Sequence, residues 1–157
     1  MTPARRRRRS RPAIAPDAPR GIARWALAAL LLVAGASHLT WGRRGYRIVV
    51  PDWATRLLRT DKDMIVVASG VVELMLGGAL LALPRERPRV GWVVAAFFVA
   101  VFPGNVHQWR TGRSAPLLGT DRARFVRLLL QPLLVVWAVW STSRPATRRG
   151  KNRRSRG

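Results

Sequence analysis

Glu73, Arg127, Gln131, Asn105 and His38 are the residues whose chemistry asks for an explanation in this sequence, with Ser69 and His107 behind them. Each stands inside or near the end of an apolar run. Carboxylate and imidazole are groups that can hold or pass a proton in a site. A carboxylate and a guanidinium can pair bidentately, and the amides of Asn and Gln both donate and accept. Thiol catalysis, disulfides and thiolate metal sites are excluded, because none of the 157 residues is Cys. Two His and one membrane-depth Glu without a fixed short spacing do not make a metal site. No residue here is assigned a catalytic role, and a non-enzyme is the expected reading.

Glu73 is the most telling of the set. It lies near the middle of Met64–Leu83, a run of 20 residues that is otherwise apolar except for Ser69. At 1.5 Å per residue such a run spans roughly 30 Å, one bilayer core. An ionisable group at that depth costs about 2.5–3.5 kcal/mol on insertion scales, so it is expected to face protein or water and to have a partner. Ser69 and Glu73 are four apart and share a helix face, as do Arg127 and Gln131. Arg127, on its long stem, is the expected partner for Glu73. Gly70, Gly77 and Gly78 would let a neighbouring backbone approach closely, and the first apolar run, with Gly35 and His38 on one face, is the expected neighbour.

The elements that must position these groups follow from charge and hydropathy. The sequence is 48% hydrophobic, yet its net charge is +22. The two agree only because the charge is segregated: residues 1–24 and residues 144–157 each contribute +7. Between them lie four apolar blocks. The expected fold class is therefore all-α, a polytopic membrane protein with a four-transmembrane-helix bundle over residues 21–142 and disordered basic tails at 1–20 and 143–157. The expected spans are about 21–41, 64–83, 90–109 and 123–142, with tryptophans such as Trp25, Trp41, Trp137 and Trp140 as interfacial anchors. The first span is read as retained rather than as a cleaved signal, since it approaches full spanning length and three more spans follow.

Two features interrupt this pattern. The connection 42–63 is long for a compact bundle, and Pro51–Arg59 within it reads as a short interfacial helix capped by Asp52, with Trp53 and Leu57 on one side. The third span continues through Pro103-Gly104-Asn105 to Trp109, so its polar end is expected to be a kinked last turn or an unwound mouth.

With four spans both ends lie on one side of the membrane. That side carries eighteen Lys/Arg against ten on the other, which places both termini in the cytoplasm of a multi-pass protein of the cytoplasmic (plasma) membrane. Every unusual polar side chain then falls in the outer half of the bundle. The Arg-rich tails are expected to attract anionic headgroups; no aromatic or fold motif accompanies them that would favour nucleic acid.

The ordered set Ala34-Gly35-Ala36-Ser37-His38, Val50-Pro51-Asp52-Trp53, Ser69-Gly70-Val71-Val72-Glu73-Leu74, Phe102-Pro103-Gly104-Asn105 and Arg127 to Gln131 resembles the DoxX-like family of small four-helix membrane proteins. The resemblance covers about residues 22–142. It implies a four-helix bundle in the cytoplasmic membrane with Glu73, Asn105, Arg127 and Gln131 facing the interior. It also implies association with membrane redox complexes or with membrane-protein assembly.

Three functions are compatible with these residues. The first is a non-catalytic subunit or assembly partner of a membrane-associated, redox-type complex, with a membrane protein or a second copy of the chain as partner. The second is a binding protein for a small molecule or quinone, with an outward-facing pocket carrying Glu73, Arg127, Gln131, Asn105 and His38, and with Ser69 and His107 as secondary members. The third is a small transporter, which four spans without an inverted repeat would permit only as an oligomer.

Overall fold

A computed structural model of the chain describes residues 18–113 and 120–143. The basic tails expected at 1–20 and 143–157 lie outside the described residues, apart from Ala18–Arg20 and Ser143. The fold is all-α. In chain order the helices are α1 (Ala18–Leu39), α2 (Arg43–Tyr46), α3 (Asp52–Leu58), α4 (Lys62–Ala82), α5 (Arg87–Thr111) and α6 (Asp121–Thr142). The four long ones are of a length and hydropathy to cross a membrane, and they pack as a bundle.

Local chemistry sets their ends. Pro19 is tolerated in the first turn of α1, where its missing N–H would have no helical partner. Asp61 caps α4, its side chain accepting from the Met64 N–H at 2.7 Å, and Thr120 caps α6 by accepting from the Ala123 N–H at 3.2 Å. Pro88 sits in the first turn of α5, and Gly112 ends that helix in the left-handed region at φ 62°. Asp52 does not cap α3 as expected. Pro51 holds the cap position, and Asp52 is the first helical residue, where its charge favours the helix N-terminus. The polar end of α5 is not an unwound mouth: the helix runs on through Pro103 to Thr111. The four-residue α2 was not expected from the sequence.

The surface is that of a protein facing lipid. Ile22, Trp25, Val33, Met75, Trp92, Val99, Leu133 and Val136 are exposed on the long helices, while Glu73, Asn105, Gln108 and Gln131 are buried. That inversion leaves apolar side chains for the bilayer and turns hydrogen-bonding groups inward, where other protein groups can satisfy them. This is an integral, multi-pass four-helix membrane protein.

α1 pairs most closely with α4, and α5 with α6. Towards the turn joining α4 to α5, the two pairs close on a dry core of Leu27, Ala28, Leu31, Leu76, Leu80, Val90, Val94, Ala95, Phe98 and Ala138. Towards the connection between α1 and α4 they leave a cavity.

Candidate functional site

Glycines on α1 and α4 bring the first two functional side chains together. A Cβ added at Gly35 would lie 2.6 Å from the Gly70 carbonyl oxygen, and one at Gly70 would lie 2.7 Å from the His38 Cβ. No larger residue fits at that spacing, so the two backbones run in close contact, as small-residue seams allow between membrane helices. One turn beyond each glycine stand His38 and Glu73. Their meeting follows directly: His38 Nδ1 is 2.5 Å from Glu73 Oε2, and both side chains are nearly buried. Glu73 thus has its partner on the neighbouring helix α1. Arg127, the partner expected from the sequence, forms no ion pair with it among the described residues, although the two are within electrostatic range.

Tyr46, on α2, completes this corner. Its ring lies 3.9 Å from the His38 ring, centroid to centroid and tilted by 56°, and its hydroxyl is 3.3 Å from that of Ser37. The position of α2 is fixed by Asp63 at the start of α4, which binds both Arg43 and Arg47. The hydrogen bond to the Asp63 carboxylate pushes the Arg43 guanidinium above its ordinary pKa. Sequence reasoning missed Tyr46. The signal available was its position beside Arg43, Arg44 and Arg47, seven residues before Trp53, but nothing in the sequence places it against His38.

The facing pair of helices contributes amides. Asn105 Nδ2 donates to Gln131 Oε1 at 2.9 Å, and Gln131 Nε2 donates to the Phe98 carbonyl at 2.7 Å. Pro103 supplies no N–H to this stretch of α5, so the carbonyl it leaves without a helical donor is that of Val99, next to the Phe98 carbonyl that Gln131 meets. Arg127 Nη1 reaches Gln108 Oε1 at 3.4 Å, and Gln108 is almost fully buried. Gln108 was also missed, since on the sequence it sits among headgroup-type residues at the end of a span.

Between the pairs lies a cavity of about 450 Å³. Leu30, Val66, Phe97, Phe98, Val101 and Leu134 give it apolar walls, and Tyr46, Val49, Pro51, Trp53, Ala54 and Leu57 cover it from α2, α3 and the link between them. His38, Ser69, Glu73, Asn105, Arg127 and Gln131 all line it. Of the residues singled out in the sequence, only His107 does not. Its Nε2 is buried without a hydrogen-bond partner among the described residues. Ser69 spends its hydroxyl proton on the Val66 carbonyl of its own helix, at 2.8 Å. Among the described residues no three His, Asp or Glu side chains converge in a way that could hold a metal ion.

Residues 27–142 match the family model for a domain of unknown function, DUF8561. The chain belongs to the DUF8561 family. No curated protein and no solved structure matches it. The matched region begins inside α1 and ends with α6, so in this DUF8561 chain every cavity-lining residue falls within the family's span. The match carries no assignment to the DoxX-like family.

Proposed function

We propose that this protein binds a small amphiphilic molecule inside the membrane, in the cavity between its two helix pairs. The observation that carries this reading is the cavity itself. At about 450 Å³ it is within the roughly 300–1,000 Å³ range of small-molecule sites, with apolar walls and a few convergent polar groups. A purely structural bundle would close over such a space with side chains, as the other half of this one does. The His38–Glu73 pair offers the ligand's head a hydrogen-bonding group that can give or accept a proton.

The orientation we propose has both termini in the cytoplasm and the plasma membrane as location, because the side with both ends carries eighteen Lys/Arg against ten. The cavity then belongs to the outer half of the bilayer, and the Arg-rich ends add attraction to anionic headgroups on the inner face. A role as subunit of a redox or assembly complex rests on the DoxX-like resemblance alone, and the cavity is compatible with it.

Native mass spectrometry of the detergent-purified chain tests the binding reading. Dodecanol should be retained at close to one molecule per chain. Ala34→Phe, which puts a ring into the space from α1, should reduce retention at least tenfold while the protein stays monodisperse. Equal retention by the unaltered chain and by Ala34→Phe would sink the reading.

A further inference from the structure

The polar groups of the cavity are not equally engaged. Asn105 and Gln131 bond one another and the Phe98 carbonyl, Ser69 is turned to its own helix, and Glu73 Oε2 is held by His38. Arg127 differs. A guanidinium has five N–H donors, and among the described residues its contact is one bond to a neutral amide at 3.4 Å, beyond the usual 2.7–3.2 Å range. No acid lies within ion-pair distance of it among the described residues. It nevertheless lines the cavity, whose other polar groups are engaged with one another or with backbone carbonyls.

The charges point the same way. The titratable or charged groups lining the cavity are His38 from α1, Tyr46 from α2, Glu73 from α4 and Arg127 from α6; α3 and α5 contribute none. Glu73 is the single acid among them, and its contact is with His38. The permanent cation is therefore the group whose partner the protein does not supply at contact distance. An oxyanion matches it in charge and in the forked geometry of its donors.

We infer that the amphiphile bound here has an anionic head, a carboxylate, sulfonate or phosphate, which pairs with Arg127 while its chain fills the apolar part of the cavity. This rests on the amphiphile-binding reading above and narrows it to a ligand class.

Native mass spectrometry of the full chain, offered equal concentrations of dodecylsulfonate, dodecanol and a decyl-substituted benzoquinone, tests it. Dodecylsulfonate keeps its charge throughout the working pH range, so the ligand itself does not titrate. We expect it to be retained at least tenfold over both neutral compounds. Arg127→Gln should abolish that preference while dodecanol retention persists, which also reports an intact cavity. Arg127→Lys should keep part of it. Glu73→Gln removes the one acid from the walls and should hold the sulfonate at least as well as the unaltered chain does. Displacement of the sulfonate by laurate would identify a single-chain acid as the source of the head, and displacement by phosphatidylglycerol a membrane lipid; both support an anion. Equal retention of all three compounds, a preference that survives Arg127→Gln, or loss of the sulfonate in Glu73→Gln would each overturn the inference. Retention of none of the three would instead remove the binding reading beneath it.

Discussion

The half of the bundle near the α4–α5 turn and the half near the α1–α4 connection are built from the same four helices, yet they are closed in opposite ways. Near the turn, Leu27, Leu31, Leu80, Val94 and Ala138 interdigitate with almost no exposure. A cleft of about 480 Å³ exists at that end too, but it lies over the surface between Arg85, Glu86, Arg89 and Thr142, and Arg89 is ion-paired with Glu86 at 2.6 Å. Towards the connection the helices bear Glu73, Asn105, Arg127 and Gln131 on their inner faces. There the space between the pairs is left to a cavity roofed by α2 and α3. The lesson is one of division. Packing holds the molecule together in one half, and the other half can then carry polar groups that satisfy each other sparingly.

The comparison breaks most sharply under substitution of a core residue. Leu80 is fully buried in the dry half, so Leu80→Ala should destabilise the protein by about 2–4 kcal/mol through lost contacts and the space left behind. Amphiphile retention at a temperature where the variant is still folded should not change. Loss of retention in step with stability, read by thermal unfolding in detergent beside native mass spectrometry, would mean that the halves are not separate.

Gly70 tests the opposite half. A side chain there meets the His38 Cβ and the Gly35 carbonyl. Gly70→Leu should therefore cost about 1–3 kcal/mol by overpacking and separate His38 from Glu73. The His38 ring nitrogens should report this as a changed ¹⁵N shift. Gly78→Leu is the control, since nothing lies within 4 Å of a Cβ built at that position. Equal effects at the two glycines would refute the close-seam account.

The smallest expected effect lies at the roof. Asp52 on α3 pairs with Lys62 at 2.6 Å, and this bond, with help from the charges of Lys62, Arg113 and His107, holds its carboxyl below the usual carboxylate range. A depressed value means that the paired form stabilises the roof at neutral pH, and that the contribution is lost as pH falls through the depressed pKa. Because Asp52 is exposed, the effect is small. NMR titration of the Asp52 carboxyl should show its pKa rise towards the usual range in Lys62→Ala; an unmoved value would show that the pair does not form.

Much of this was legible in the chain. Four apolar runs and segregated charge sufficed for four long helices, because a bilayer leaves a backbone little choice but to satisfy itself. That Glu73 needs a partner and that Gly70 marks a close approach could also be read from the sequence. Which partner Glu73 takes could not. His38 lies on the long helix before α4 and Arg127 two long helices after it, and only the rotation of α1 against α4, set by Gly35 and Gly70, brings His38 to it. Tyr46 and Gln108 escaped notice because their roles come from α2 being tied to Asp63 and from the reach of Arg127, contacts with no local signature.

The sequence by itself determined the spans, the placing of nearly every inward polar group towards one end, and the demand that a carboxylate in mid-membrane be answered. Those follow from hydropathy and from the cost of stranding charge in hydrocarbon, both of which act residue by residue. The tertiary structure alone decided which imidazole answers that carboxylate, which cation of the cavity wall has no acid at contact among the described residues, and that a cavity lies between the helix pairs. Such choices depend on how four helices turn about their own axes, and that is fixed by packing between residues far apart in the chain.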